Sequence, residues 1–129
     1  MRIQLSSVMV NNQDRALKFY TEVLGFVKKR DIPLGEARWL TVVSPDGSAD
    51  IELLLEPNSN PAAQTFQKAI FEQGIPLTAF AVDDIQEEYT RLRQRGVEFT
   101  MEPTNMGMTI VAVLDDTCGN LIQIYQMTG

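Results

Sequence analysis

The 129-residue sequence contains no histidine and only one cysteine, Cys118. Without histidine, any bound metal ion would have to be held through oxygen ligands. A lone cysteine cannot form an internal disulfide, which agrees with a reducing compartment. The chain also lacks any run of about 18 apolar residues, so no segment is predicted to cross a bilayer as a helix. Because the opening MRIQLSSVMV is too polar for a signal peptide, we expect a cytoplasmic protein.

Positive charge is also scarce: 11 Lys and Arg residues stand against 17 Asp and Glu residues, for a net charge of −6. Non-specific nucleic-acid binding depends on Lys and Arg side chains that neutralise phosphates, so this class of function is disfavoured. A neutral or cationic partner suits the acidic balance better. With 44% hydrophobic residues, the chain can bury the core of a single compact domain over residues 1–129.

Apolar periodicity and turn residues predict eight strands and three helices. Asn12 and Asp84 are suited to cap two of the helices, and the connecting helix after Pro61 begins with a residue favoured at that position. The apolar stripe of this connecting helix consists of Ala62, Phe66, Ala69 and Ile70. Turns are expected at Pro33-Leu34-Gly35, Ser44-Pro45-Asp46-Gly47 and Asp116-Thr117-Cys118-Gly119. The predicted strands are 4–10, 26–31, 39–43, 51–56, 77–82, 97–101, 109–114 and 121–126.

The order of the predicted elements repeats, because a strand, a helix and three strands occur once on each side of the connecting helix. Gly35 and Gly107 differ by 72 in number, as do Gly47 and Gly119. When the two halves are aligned on these glycines, the second half is one residue shorter after its last turn. The difference in residue number between matched positions then becomes 71. This overlay matches Ile51 with Ile122 and Glu52 with Gln123.

The repeat predicts an α+β fold made of two βαβββ modules. One helix can cover only one face of the sheet in its module. Two modules side by side would form a curved eight-stranded mixed sheet with a concave cleft, where small ligands usually bind. The predicted boundaries are 1–57 for module one, 58–75 for the connecting helix and 76–129 for module two.

Several segments resemble the vicinal oxygen chelate superfamily, which includes glyoxalase I, extradiol dioxygenases and bleomycin resistance proteins. The resemblance covers nearly the whole chain, and its motifs are specific to the fold rather than to one activity. The segments that carry it are NNQDRALKFYTEVLGF, IELLLEPN, FAVDDIQEEYTRLRQRGVEF and DDTCGNLIQIYQ.

Enzymes of that superfamily hold a divalent metal with four side chains, generally His, Glu or Gln. The resemblance places these four positions at Leu5, Glu52, Leu77 and Gln123. Leucine has no donor atom, and one carboxylate with one amide is too small a set for a catalytic ion. We therefore expect neither a metal nor another cofactor. A shifted alignment would bring in Ser7, Thr78 or Glu56 as further oxygen donors.

Residues at these and nearby strand positions are candidates for ligand binding. Strand alternation points Glu52 away from Ile51 and Leu53, so Glu52 is also the candidate catalytic base. Structural explanations remain open as well: Glu52 and Gln123 as solvated strand residues, the methionines as core, and Trp39 as a core or dimer contact. The candidate ligand-binding set is Ser7, Met9, Trp39, Glu52, Leu54, Leu77, Met106, Met108 and Gln123.

Three functions are compatible with the sequence. The first is metal-free binding of a small organic molecule in the concave cleft, as in bleomycin-resistance-type proteins; the acidic balance would allow a cationic ligand. The second is a superfamily enzyme, such as a glyoxalase-like lyase, isomerase or dioxygenase, that uses Glu52 with or without a weakly held divalent ion. The third is a module used only for association. By analogy with superfamily members of this size, we expect a homodimer. Because the chain has no long apolar run, we expect no membrane partner.

Overall fold

The computed structural model describes all residues from 1 to 129 and contains the eight expected strands and three helices. The helices are α1 (Gln13–Lys18), α2 (Pro61–Glu72) and α3 (Ile85–Gln94), and α1 continues as a π-helical turn at Phe19–Val23. The strands are β1 (Leu5–Val10), β2 (Val27–Leu34), β3 (Ala37–Val43), β4 (Glu52–Pro57), β5 (Thr78–Ala81), β6 (Phe99–Asn105), β7 (Thr109–Asp115) and β8 (Leu121–Met127). No helix is long and apolar enough to span a bilayer.

The strands form two mixed sheets of four, with the orders β1-β4-β3-β2 and β5-β8-β7-β6. In each sheet the first and last strands of a module pair in parallel, and the other neighbours are antiparallel. The identical order confirms the α+β class and the two βαβββ modules. The predicted single eight-stranded sheet is corrected to two hydrogen-bonded sheets of four strands.

The chain divides into two compact units, Met1–Gln64 and Thr65–Gly129, and the division falls within α2. In the first unit the core lies on the face of the sheet that carries Val8, Val10, Leu40 and Leu55, all almost fully buried. Helix α1 packs against β3 and β4. Strand alternation therefore places the core under α1 and leaves a second face that points away from it.

One turn differs from the sequence prediction. Residues Pro33 and Leu34 belong to β2, and the chain turns at Gly35, which has a φ of 61°. Strand β2 lies at the edge of its sheet, so one side of its backbone has no neighbouring strand. A proline is tolerated there because its missing N–H need not remove a ladder hydrogen bond.

The apolar stripe predicted for α2 is not the buried face of this helix. Phe66 is 52% exposed, whereas Gln67 is the buried residue of α2. The Gln67 amide Nε2 donates to Asn120 Oδ1 at 2.9 Å and lies close to the Cys118 carbonyl at 3.4 Å. Buried amides require such partners, so hydrogen bonding to the β7–β8 turn, rather than apolar periodicity, decides which residue of α2 is buried.

Candidate functional site

The first sheet has a face that points away from α1, which we call the distal face. Three register pairs define it: Ser7 lies beside Leu54, Leu54 beside Thr41, and Thr41 beside Arg30. These four residues form one row across the sheet from β1 to β2. Since alternate residues share a face, Glu52 on β4 and Trp39 on β3 belong to the distal face as well.

Glu52 is the centre of a hydrogen-bonded cluster on the distal face. Its Oε1 accepts from the Thr41 hydroxyl at 2.7 Å and from Arg30 Nε at 3.1 Å. Its Oε2 lies 3.8 Å from Lys29 Nζ. The Glu52 side chain is only 14% exposed and Thr41 is fully buried, so this cluster is ordered rather than freely solvated.

These contacts lower the pKa of Glu52. The Thr41 hydrogen bond is the largest cause, and the charge and hydrogen bond of Arg30 and the charge of Lys29 act in the same direction. Partial burial of the carboxylate opposes them. Glu52 is therefore an ionised, well-bonded carboxylate at neutral pH, and the lowered pKa makes it a weaker proton acceptor.

The predicted ligand-binding residues of the first unit share one surface. Ser7 is exposed, Met9 and Trp39 are half-buried, and Leu54 is buried at 8% exposure. Their register places all of them with Glu52 on the distal face. The structure thus brings together five of the predicted site residues, although their role stays a prediction.

The predicted residues of the second unit are more scattered. Gln123 is half-buried and pairs with Val113 and Ala79. Leu77 precedes β5, and its backbone N–H donates to Leu121. Met106 and Met108 lie in the β6–β7 turn and are 62% and 78% exposed. The two methionines therefore lie at the tip of a hairpin, rather than beside Gln123 in the middle of the sheet.

Sequence reasoning did not identify Arg30, Lys29 or Thr41. Thr41 had a visible signal, because it is the polar residue in the otherwise apolar strand segment WLTVV. Arg30 had none. It meets Glu52 across β3 at a separation of 22 residues, and the register of β2 shifts between Lys28 and Arg30.

The sequence profile of the Glyoxalase/Bleomycin resistance protein/Dioxygenase superfamily matches residues 2–124. The chain belongs to this superfamily. It is 60% identical over 126 residues to the uncharacterized protein YurT of Bacillus subtilis (strain 168), which covers 98% of this chain and 99% of YurT. The superfamily name covers several activities, so membership alone does not choose between binding and catalysis.

Two solved structures resemble this one closely. The crystal structure of UcmS2 has a TM-score of 0.83 at 33% identity, covering 97% of each chain. That of TnmS3, an antibiotic binding protein from Streptomyces sp. CB03234, has a TM-score of 0.75 at 29% identity, covering 99% of this chain and 97% of TnmS3.

The register of the two sheets corrects the internal overlay of this superfamily member. Thr41 pairs with Leu54 in the first sheet, and Val113, 72 residues after Thr41, pairs with Gln123 in the second. The β4–β8 offset is therefore 69 rather than 71. The segment between the last two strands has eight residues, 44–51, in the first unit and five, 116–120, in the second. Three residues are lost, so Leu54 is the counterpart of Gln123.

The residues at the superfamily's metal positions do not fit a divalent ion. Leu5 and Leu77 have no donor atom, and Glu52 already receives a hydroxyl and a guanidinium on one oxygen. With the corrected overlay, the counterpart of Gln123 is Leu54, which also lacks a donor. No group of three or more Cys, Asp or Glu side chains in the structure could hold a metal ion.

Proposed function

We propose that this superfamily member binds a small organic molecule on the distal face of its first sheet, without a metal at the superfamily positions. The observation that carries the proposal is the Glu52 cluster, which lies on the same face of the sheet as Leu54, Met9 and Trp39. Ligand sites typically combine apolar and aromatic contacts with a few fixed polar groups. Thr41 and Arg30 fix the Glu52 carboxylate in this way.

A comparison of the two sheets supports a binding role for the cluster. The row Arg30, Thr41 and Leu54 in the first sheet corresponds by register to Met101, Val113 and Gln123 in the second. With the offset of 69, the counterpart of Glu52 is Leu121. The second sheet has the same strand order with apolar residues at the positions of Arg30, Thr41 and Glu52. The fold therefore does not require this polar cluster, which favours a functional reason for it.

The similarity to TnmS3, an antibiotic binding protein, supports the same reading. The alternative is a lyase, isomerase or dioxygenase with Glu52 as general base. Efficient bases have a pKa near the working pH, whereas the pKa of Glu52 is lowered and both of its oxygens face cations or donors. These contacts favour binding over catalysis by Glu52.

A pair of adjacent serines on β1 allows a matched test. Ser7 lies on the distal face beside Leu54, and Ser6 lies on the opposite face beside Leu53; both are exposed. A panel of cationic, neutral and anionic antibiotics and aromatic metabolites would be screened by thermal shift, since a ligand of the native state raises the melting temperature. For each hit we expect Ser7→Phe to weaken binding at least tenfold and Ser6→Phe to leave it within about twofold.

Nuclear magnetic resonance would locate the same hits. The single tryptophan, Trp39, gives one indole N–H signal, which should shift on titration together with the amides of Met9 and Leu54. Shifts confined to the second unit would contradict the proposed surface. Stoichiometric binding of Zn²⁺, Ni²⁺ or Mn²⁺ in equilibrium dialysis, abolished by Glu52→Gln, would favour the enzyme instead.

We also propose that two copies of the chain form a homodimer. The cytoplasmic location stays a prediction. Edge strand β2 exposes Val27 and Leu34 at 49% and 55%. Exposed apolar edge strands tend to pair with another chain unless they are covered. Light scattering coupled to size exclusion should give the mass of two chains, and a single-chain mass of 14.5 kDa would contradict the dimer.

A further inference from the structure

The more exposed side chains of the Glu52 cluster are its cations: Arg30 is 49% and Lys29 is 30% exposed, against 14% for Glu52. Thr41 is fully buried and gives its one hydroxyl proton to Glu52. The Oε1 atom of Glu52 accepts two hydrogen bonds, and its Oε2 faces Lys29. Oε1 is therefore already used by two donors of the protein, and the Glu52 side chain as a whole is only 14% exposed.

Arg30 has the opposite property. Its guanidinium uses Nε to reach Glu52, and neither Nη atom has a hydrogen bond to the protein. The side chain is 49% exposed, and four N–H donors remain on its two Nη atoms. A guanidinium presents its donors in a planar fork that fits the paired oxygens of a carboxylate, phosphate or sulfonate. Glu52 holds this fork at the edge of the distal face.

An apolar part of the same surface lies beside Arg30, on the side away from Glu52. Arg30 pairs with Thr41, and two residues further along the same two strands Ile32 pairs with Trp39. Diagonal neighbours on a sheet are about 7–8 Å apart, within reach of long and aromatic side chains. Trp39 is half-buried and Ile32 is 48% exposed.

From this arrangement we infer that the ligand of the distal face is an organic oxyanion with an apolar or aromatic body, whose charged oxygens bind the Nη atoms of Arg30. This rests on the proposed binding function and specifies its ligand class. It also reverses the expectation of a cationic ligand, which was based on the charge of the whole chain. The group nearest the charged oxygens sets the preferred charge there, and at the Glu52 end of the distal face that group is the Arg30 guanidinium. The exposed Glu56 carboxylate lies four residues further along β4, beside Met9.

A pair of fluorescent probes tests the inference. 8-Anilino-1-naphthalenesulfonate has an aromatic body with one sulfonate, and N-phenyl-1-naphthylamine is the same body without it. We expect the wild-type protein to bind the sulfonate probe more tightly than the neutral probe. Arg30→Met should weaken the sulfonate probe about tenfold and leave the neutral probe within about twofold, because a hydrogen bond to a charged group is lost.

Lys28→Met is the matched control. Lys28 is exposed on the same strand and carries the same charge, but it pairs with Val42 and so lies on the opposite face from Arg30. Its removal should leave both affinities within about twofold. Arg30→Lys keeps the charge at the site but loses the planar fork, so it should weaken sulfonate binding by more than about threefold, yet less than Arg30→Met does. Melting temperatures of all variants would show that each remains folded.

The outcomes separate the inference from the proposed function. Equal losses in Arg30→Met and Lys28→Met would indicate general charge attraction and overturn the inference. Sulfonate binding by Arg30→Lys that is as tight as in the wild type would show that charge without the planar fork is sufficient, and would overturn the assignment to the Nη atoms. If the neutral probe binds as tightly as the sulfonate and Ser7→Phe weakens both, the binding surface stands and the oxyanion inference fails. If neither probe binds the wild-type protein, both fail.

Discussion

The hydrogen bond from Thr41 to Glu52 gives a stability prediction that can be worked through from the structure. Thr41→Val keeps the branched shape of a fully buried side chain and removes the hydroxyl that lies 2.7 Å from Glu52 Oε1. Hydrogen bonds to charged groups contribute about 1.5–3 kcal/mol. Because Glu52 keeps its contact with Arg30 and is 14% exposed, we expect the lower end, about 1.5 kcal/mol.

The effect should depend on pH, because Thr41 is the largest cause of the lowered pKa of Glu52. A carboxyl group with a lowered folded-state pKa stabilises the protein fully above its ordinary value of 4.5, and this contribution is lost as the pH falls through the folded-state pKa. In Thr41→Val the pKa of Glu52 should return towards its ordinary value. The difference in unfolding free energy between wild type and variant should therefore be largest at pH 7 and shrink below about pH 4.

Urea unfolding followed by Trp39 fluorescence and circular dichroism measures this difference at pH 7 and pH 3. Thr100→Val is the control, since Thr100 is an exposed strand residue and its substitution should change stability by less than about 0.5 kcal/mol. A difference for Thr41→Val that is as small as the control, or that stays constant between the two pH values, would refute the role given to this hydrogen bond.

Two further substitutions test the packing of the second unit. Gly119→Ala should be clearly more destabilising than Gly107→Ala in thermal unfolding. Both glycines have φ near 100°, but a Cβ at Gly119 would lie 2.8 Å from Gln67 Nε2, whereas a Cβ at Gly107 would meet no atom within 4 Å. Equal losses would show that Gln67 can move away without cost. Asp84→Ala should lower the unfolding free energy by about 1 kcal/mol, because the Asp84 side chain accepts the Glu87 N–H at the start of α3; an unchanged midpoint would contradict the cap.

Local signals in the sequence were sufficient for the elements of the fold. The caps at Asn12 and Asp84 both accept the expected backbone N–H groups, and the alternation of Val8 and Val10 gives the buried face of β1 correctly. These features depend on neighbours within about four residues, which is the range over which periodicity and capping act. The repeat then followed from the order of the elements.

Features that depend on distant partners could not be read in this way. The pairing of β3 with β4 decides that Leu54, not Glu52, is the counterpart of Gln123. Alignment of the two halves by sequence alone matched the chemically similar residues Glu52 and Gln123. The burial of Gln67 has the same origin, because its partner Asn120 lies 53 residues away. A glutamine in an amphipathic helix otherwise reads as a surface residue.

The internal repeat suggests how to remove the cluster: its three residues can be replaced by those at the corresponding positions of the second sheet. The triple variant Arg30→Met, Thr41→Val and Glu52→Leu gives the first sheet the residues that the second sheet has at Met101, Val113 and Leu121. Replacing ion pairs by apolar residues of similar volume is often neutral or stabilising, so the variant should fold with a melting temperature within a few degrees of the wild type.

Its binding should change much more than its stability. With the fork of Arg30 and the carboxylate that positions it both absent, the preference for 8-anilino-1-naphthalenesulfonate over N-phenyl-1-naphthylamine should disappear, while the neutral probe should bind at least as well as before. A variant that fails to fold would show that the cluster is structural after all, since Thr41 and Glu52 would then hold β3 and β4 together in a way that β7 and β8 do not need. A folded variant that still prefers the sulfonate would place the binding of that group elsewhere on the chain.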